Sequence, residues 1–134
     1  MTRTAARESL MQMLFQMETQ NDFSEEAKIQ FIQLNVEEED QLEYFNRVFD
    51  SFTANKDAID ALIEQYSNGW KLSRLAKVDL SVLRLCLAEF KFAPEGKATP
   101  VNAAISEAVK MAKKYGSDDS GKFVNGILGK ISRS

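Results

Sequence analysis

The sequence contains no histidine and only one cysteine, Cys86, and these absences exclude several kinds of chemistry. Catalytic arrangements that need histidine, zinc sites of cysteine and histidine ligands, and a disulfide within the chain are all impossible. No glycine-rich phosphate loop of the GxxxxGK[ST] or GxGxxG kind occurs. Twenty acidic residues leave carboxylate or magnesium chemistry open, but no spacing singles out a pair. We therefore predict no catalytic residues, no cofactor and no metal site.

Long apolar runs are also missing. No run approaches the roughly 20 residues that cross a bilayer. Charged Arg7 and Glu8 precede the first apolar run, which does not fit a secretory signal. These observations predict a cytoplasmic location and no membrane contact. The length of 134 residues suits one domain with one hydrophobic core.

The net charge of −3 conceals a strong division along the chain. Between Glu18 and Glu64 there are thirteen acidic and three basic residues, whereas the segment from Gln65 to Ser134 has six acidic and twelve basic. Such a chain can present a basic surface to a polyanion while its acidic half limits non-specific adhesion. The alternative is that both halves are simply solvated helix faces.

Apolar residues recur at helical spacing along nearly the whole chain, without the period-two alternation of strands. We predict an all-α bundle of about seven helices in two packed subdomains, an N-terminal one of about 1–66 and a C-terminal one of about 70–134. The fifth helix is apolar on most sides, which is typical of a helix in the centre of a bundle. The predicted helices cover 3–20, 24–34, 37–53, 55–67, 77–92, 100–115 and 120–131, with Ser24, Asn55 and Thr99 as predicted N-caps.

Cations and one aromatic residue meet at the predicted junction of the last two helices. Lys110, Lys113 and Lys114 lie off the apolar stripe of the sixth helix, and Lys122 lies on the outer side of the seventh. Phe123 falls at the edge of the seventh helix's apolar stripe, where a half-exposed ring could stack on a base. The alternative is that Phe123 only extends the core.

Three other charged positions attract attention. Arg3 and Arg7 lie one turn apart near the start of the first helix, where phosphate binding would explain two neighbouring cations. Glu89 falls in the apolar sector of the fifth helix and needs a buried partner, for which we favour Arg74 or Arg84.

Two blocks of the sequence resemble the NusB family of bacterial transcription antitermination factors. The first runs from Trp70 to Glu89 and includes LAKVDLSVLRL; the second runs from Val101 to Leu128 and includes ISEAVKMAKKYG and GKFVNGIL. Two departures are Ser106, where the family usually has asparagine, and an N-terminal arm with fewer arginines than many members have. The resemblance implies an all-helical, non-catalytic protein that binds boxA RNA jointly with the ribosomal protein NusE. It also implies association with elongating RNA polymerase and suppression of premature termination, notably in ribosomal RNA operons.

The resemblance also implies which residues act, and we combine it with the lysines noted above. The predicted RNA-binding residues are Arg3, Arg7, Lys113, Lys114, Asp119, Lys122 and Phe123, and the predicted NusE-binding residues are Phe15 and Asp79. One alternative is an adaptor whose RNA contacts reside mostly in the partner. Another is a NusB-like accessory domain of a ribosomal RNA methyltransferase. Self-association into a homodimer stays open.

Overall fold

The computed structural model describes all 134 residues, as seven α-helices and one short 3-10 helix with no strand. The prediction of an all-α fold is confirmed. No helix is long and apolar enough to cross a bilayer. The helices are α1 (Arg3–Gln20), α2 (Glu25–Asn35), α3 (Leu42–Ala54), α4 (Lys56–Gln65), α5 (Lys77–Phe90), α6 (Val101–Tyr115) and α7 (Ser120–Arg133), with the 3-10 helix at Leu72–Arg74 between α4 and α5.

Local signals in the sequence explain the first two helices. α1 ends at Asn21, which adopts the left-handed conformation with φ 52° that asparagine tolerates. Ser24 then begins α2, because its hydroxyl oxygen accepts a hydrogen bond from the Ala27 amide at 3.1 Å. The prediction of Ser24 as an N-cap is confirmed. Glu25 and Glu26 occupy the first turn of α2, where the helix dipole favours negative charge.

Helix α5 forms the centre of the molecule and packs against α1, α3, α4, α6 and α7. All residues from Asp79 to Glu89 are buried, so the helix is covered on every side, as predicted. The apolar stripe of α7, from Val124 to Ile131, completes the same continuous core. The division into bundles of about 1–66 and 70–134 stays a prediction, since α5 joins both sets of helices.

Long-range contacts overturn the predicted start of α3. The acidic run at 37–40 is not helical, and α3 begins at Leu42. Glu38 and Asp40 instead make ion pairs with the amino group of Met1, at 2.8 and 3.1 Å. These partners are distant in sequence, so the helical pattern alone could not reveal them.

Two predicted N-caps make no capping hydrogen bond: Asn55 does hold the N-cap position of α4, whereas the N-cap position of α6 is Pro100 and not Thr99. The Asn55 side chain donates to the Ser51 carbonyl at 2.8 Å and makes no capping hydrogen bond to α4. The Thr99 hydroxyl donates to Glu89 Oε1 at 3.0 Å instead of capping α6. The Thr99 hydroxyl donates to this buried carboxylate because a hydrogen bond to a charged acceptor is stronger than one to a neutral group.

Glu89 has a buried basic partner, but neither of the predicted ones. Its carboxylate accepts three hydrogen bonds from Arg7 at 2.9–3.1 Å, and both side chains are almost fully buried. Arg84 is committed elsewhere, with Nε 2.9 Å from Asp60 and Nη1 2.6 Å from Glu18. Burial alone would lower the pKa of Arg84, but the hydrogen bonds to Asp60 and Glu18 more than offset this and raise it.

Candidate nucleic-acid interface

The α6–α7 junction is a tight turn fixed by small residues. Ser120 accepts a hydrogen bond from the Ser117 amide at 3.0 Å, and its own amide donates to the Ser117 carbonyl at 3.1 Å. A side chain at Gly116 would overlap the Ser120 hydroxyl, and a Cβ at Gly121 would lie 2.7 Å from Lys113 Cγ. The two helices therefore approach closely, and the stem of Lys113 lies across the start of α7.

Phe123 projects from the first turn of α7 and is half-buried, packing against the core on one side. It separates two adjoining surface cavities. One, of about 250 Å³, lies toward the loop before α5 and is lined by Trp70, Asp79 and Ser120 among others. The other, of about 340 Å³, runs along α7 past Lys122 and Lys130. The edge position predicted for this ring is confirmed.

A third cavity, of about 370 Å³, extends the surface beyond Trp70 along Lys71 and Arg74. Asn68 and Gly69, at φ 55° and 84°, make the sharp turn that presents Trp70, whose side chain is 55% exposed. The backbone of this loop is held by the Ser67 hydroxyl, which donates to the Trp70 carbonyl. An exposed indole on a well-bonded loop is a preorganised stacking surface.

These three cavities share lining residues and form one continuous surface, which we call the Trp70–Phe123 surface. It contains four cations and two carboxylates, together with two aromatic rings. Its members are Asn68, Gly69, Trp70, Lys71, Arg74, Leu75, Ala76, Asp79, Ser117, Asp119, Ser120, Lys122, Phe123, Gly126, Ile127 and Lys130. Cations for phosphates and aromatic faces for bases are the combination that holds single-stranded nucleic acid.

Of the predicted RNA-binding residues, the structure brings Asp119, Lys122 and Phe123 together on this surface. Lys113 and Lys114 lie on exposed positions of α6 and line none of its cavities. Lys114 makes an ion pair with Glu8 at 2.9 Å, and this contact raises the pKa of the Lys114 ammonium group.

The two N-terminal arginines differ in their exposure and in their partners. Arg3 is exposed, with its Nε 2.8 Å from Gln41 and its guanidinium 4.0 Å from the centre of the Tyr44 ring. Arg7 is 93% buried and bonded to Glu89 and Glu107. This burial disfavours Arg7 as a phosphate contact, because its guanidinium already neutralises a buried carboxylate, and its RNA-binding role stays a prediction.

The predicted partner-binding residues do not share a cavity. Phe15 is 37% exposed and lines an apolar groove of about 190 Å³ with Met11, Val78 and Tyr115. Asp79, the next residue after Val78, turns the other way and lines the cavity beside Phe123. The first turn of α5 thus separates an apolar groove from the Trp70–Phe123 surface.

Sequence reasoning missed Trp70, Lys71 and Lys130 as members of the surface, and gave Arg74 a buried role that it does not have. A detectable signal was present: the pair Asn68-Gly69 predicts a turn, and the WKLSR segment behind it joins an aromatic residue to two cations. The proximity of that loop to α7 could not be predicted from local sequence. It is seen in the hydrogen bond that Lys130 Nζ donates to Asn68 Oδ1 at 3.2 Å, between residues 62 positions apart.

Comparison with known proteins agrees with this architecture. The family model described as the NusB family matches residues 4–133. The chain belongs to the NusB family. A NusB from Alkaliphilus oremlandii, named transcription antitermination protein NusB, is 44% identical over 97% of this chain and 92% of its own length. A NusB of the same description from Listeria monocytogenes is 38% identical over 98% of this chain and 97% of its own length.

Solved NusB structures have the same fold. NusB from T. maritima superposes with a TM-score of 0.87 and 35% identity, covering all of this chain and 92% of the other. A crystal structure of the antitermination factors NusB and NusE in complex with dsRNA gives a TM-score of 0.84 and 27% identity, covering 98% of this chain and 96% of the other. The resemblance noted in the two sequence blocks is therefore confirmed over the whole chain.

Proposed function

We propose that this protein is a transcription antitermination factor that binds boxA-type single-stranded RNA together with NusE. In this role it joins elongating RNA polymerase in the cytoplasm and suppresses premature termination, notably in ribosomal RNA operons. It acts by binding and not by catalysis. The observation that carries the proposal is the Trp70–Phe123 surface, where cations surround two accessible aromatic rings.

The relatives support the same function. Homologues are named transcription antitermination proteins, and a solved neighbour contains NusB with NusE and double-stranded RNA. None of the relatives described above is a methyltransferase, so the accessory-domain alternative gains no support from them.

We assign the RNA to the Trp70–Phe123 surface, with Lys71, Arg74, Lys122 and Lys130 contacting phosphates and Phe123 stacking on a base. Asp119 accepts hydrogen bonds from base amino groups. Arg3, Lys113 and Lys114 extend the positive potential beyond the cavities.

We assign NusE to the apolar groove around Phe15. This groove is open to solvent, carries an exposed aromatic ring, and lies one residue away from the RNA surface along α5. Aromatic residues in such pockets commonly dominate protein–protein affinity. Use of the same groove for a homodimer is the competing possibility, and light scattering of the chain with and without NusE separates the two.

One observation favours a weaker intrinsic RNA affinity than the sequence first predicts. The buried ion pair with Glu89 occupies Arg7, so of the two arginines at the start of α1 only Arg3 is exposed, and its Nε donates to Gln41. Loss of a phosphate contact lowers affinity without altering the fold. The adaptor alternative, in which NusE supplies most RNA contacts, therefore stays open as the second candidate function.

The test is a titration of labelled boxA RNA by the chain, alone and with NusE, at several salt concentrations. Phe123→Ala is expected to weaken binding roughly 5- to 150-fold, because stacking contributes ~1–3 kcal/mol per base. Phe92→Ala is the matched control. Phe92 is also half-buried, but it lies beyond the C-terminal end of α5 and is not part of the Trp70–Phe123 surface. Equal RNA affinity of the two variants would refute the stacking role. RNA binding seen only with NusE would favour the adaptor function.

A further inference from the structure

Helices α1 and α2 enclose a surface cavity that the RNA and NusE assignments leave unused. Its volume is about 290 Å³. It shares no lining residue with the Trp70–Phe123 surface or with the groove around Phe15. We call this cavity, with its lining residues from Met13 to Asp22 and from Ala27 to Asn35, the α1–α2 groove.

The floor of the α1–α2 groove is apolar and adaptable. The buried side chains of Met13, Met17 and Phe31 line it. Methionine is unbranched and flexible, so it repacks around differently shaped anchors at protein-binding surfaces. Leu34 forms one edge and is 84% exposed, more than any other large apolar side chain of the chain. A lone exposed leucine is ordinary, but here it extends the apolar area of a cavity.

The charge around this groove is almost entirely negative. From Glu18 to Asp40 the chain has eight acidic residues and one basic residue, Lys28. Lys28 is buried and makes an ion pair with Glu25 at 2.6 Å, so it offers no free cation to a ligand. Neither α1 nor α2 has a basic residue in its last turn to offset the negative end of the helix dipole. This side of the molecule therefore repels a polyanion, and also the same face of a second copy, whereas it attracts a cationic partner.

The all-helical fold restricts the form of that partner. The chain has no strand, so an extended peptide finds no sheet edge to join. A groove between two helices instead accepts a third helix, whose backbone hydrogen bonds are internal and whose apolar residues enter at i, i+3, i+4 and i+7 spacing. Lysine and arginine residues beside those anchors would face Asp22, which lines the groove, and the acidic residues at both ends of α2.

We propose that the α1–α2 groove docks a basic amphipathic helix of a protein partner. An apolar side chain of that helix enters over Met13, Met17 and Phe31, and its cations face the acidic flanks. The groove and the Trp70–Phe123 surface have no residue in common, so the chain can hold this helix and a nucleic acid at the same time. The inference does not depend on the RNA-binding role.

The methionines give the groove its own reporter. Of the five in the chain, Met13 and Met17 line the α1–α2 groove, Met11 lines the groove around Phe15, and the other two line neither. NMR of the full chain labelled with ¹³C at the methionine methyl groups therefore distinguishes the two grooves. The probe is a peptide of about 16 residues with leucine at the four helical anchor positions and lysine elsewhere. The matched probe has glutamate in place of every lysine.

The lysine peptide is expected to shift the methyl signals of Met13 and Met17 and to leave that of Met11 unchanged. Its Kd should be at least about tenfold below that of the glutamate peptide, because like charges across a contact disfavour binding. Leu34→Ser should raise the Kd about tenfold, since it removes a leucine that the docked helix would bury. Ile29→Ser is the matched control and should leave the Kd unchanged, because Ile29 is also exposed on α2 but does not line the groove.

Equal Kd values for the two peptides would overturn the proposal, as would equal Kd values for Leu34→Ser and Ile29→Ser. A shift of Met11 without Met13 and Met17 would place the helix in the groove around Phe15, which also overturns it. Shifts of Met13 and Met17 that follow protein concentration alone, or that oligouridine causes and the peptide does not, would identify a second copy or a nucleic acid as the occupant, with the same consequence. Normal boxA binding together with no peptide-induced shift would refute the docking groove and leave the proposed function intact.

Discussion

Replacing Arg7 by methionine separates a structural role from an RNA-binding role. The substitution keeps much of the side chain's apolar stem but removes the guanidinium that gives Glu89 three hydrogen bonds. Glu89 is 3% exposed and would keep only the Thr99 hydroxyl as a partner. Removing one member of a buried ion pair costs ~3–5 kcal/mol, because the remaining charge stays uncompensated.

The expected change in melting temperature follows from the chain's size. At ~2.1 cal/mol/K of unfolding entropy per residue, each kcal/mol shifts the midpoint of a chain of this length by about 3–4 °C. Arg7→Met should therefore melt about 10–18 °C below the unaltered protein. The double variant Arg7→Met, Glu89→Leu should recover most of this loss, because it removes the stranded carboxylate as well.

The measurement combines thermal unfolding with RNA titration below the lower melting temperature. Arg3→Met is the matched control, since Arg3 is exposed one helical turn away. It should leave stability nearly unchanged and lower the slope of log K against log[salt] by ~0.7 if Arg3 contacts a phosphate. The structural role of Arg7 is refuted if Arg7→Met is as stable as the unaltered protein. It is also refuted if Arg7→Met lowers the slope of log K against log[salt] while the double variant stays folded.

Three further predictions concern the surface and its supports. Asp79→Asn should raise the melting temperature at pH 7, and this gain should shrink as the pH falls toward 3.8. Burial raises the pKa of Asp79 in the folded protein, so its ionised form destabilises the fold. That destabilisation is absent below the pKa of the unfolded chain and is complete above the pKa of the folded protein. Gly126→Ala should stabilise α7 by ~0.5–1 kcal/mol in thermal unfolding, because a Cβ there meets nothing within 4 Å, yet weaken RNA binding if the strand approaches this face; unchanged RNA affinity would exclude that approach. Ser24→Ala should cost ~1 kcal/mol in denaturant unfolding through loss of the 3.1 Å cap, whereas Ser24→Gly should cost less; a neutral Ser24→Ala would contradict the cap.

Features decided by neighbouring residues were predictable from the sequence. The bounds of α1, the cap at Ser24 and the buried stripe of α7 all follow from helical spacing and local capping chemistry. Phe123 and Lys122 could be found in the same way, because the edge of an apolar stripe predicts a half-exposed residue.

Features decided by distant residues were not predictable. The partner of Glu89 is 82 residues away, and nothing in the pattern of α5 distinguishes Arg7 from Arg74 or Arg84. Membership of Trp70 in the candidate site likewise depends on how the loop before α5 meets α7. Long-range choices of this kind are set by competition among buried charges and by packing, which helical periodicity does not encode.

The first turn of α5 borders both candidate binding sites, the groove around Phe15 and the Trp70–Phe123 surface. Val78 lines the groove around Phe15, and Asp79 lines the pocket beside Phe123. If occupation of one site shifts this turn, thermodynamic linkage requires each ligand to change the other's affinity by the same factor. A protein bound on one side of this helical turn would then change the affinity for a transcript bound on the other side.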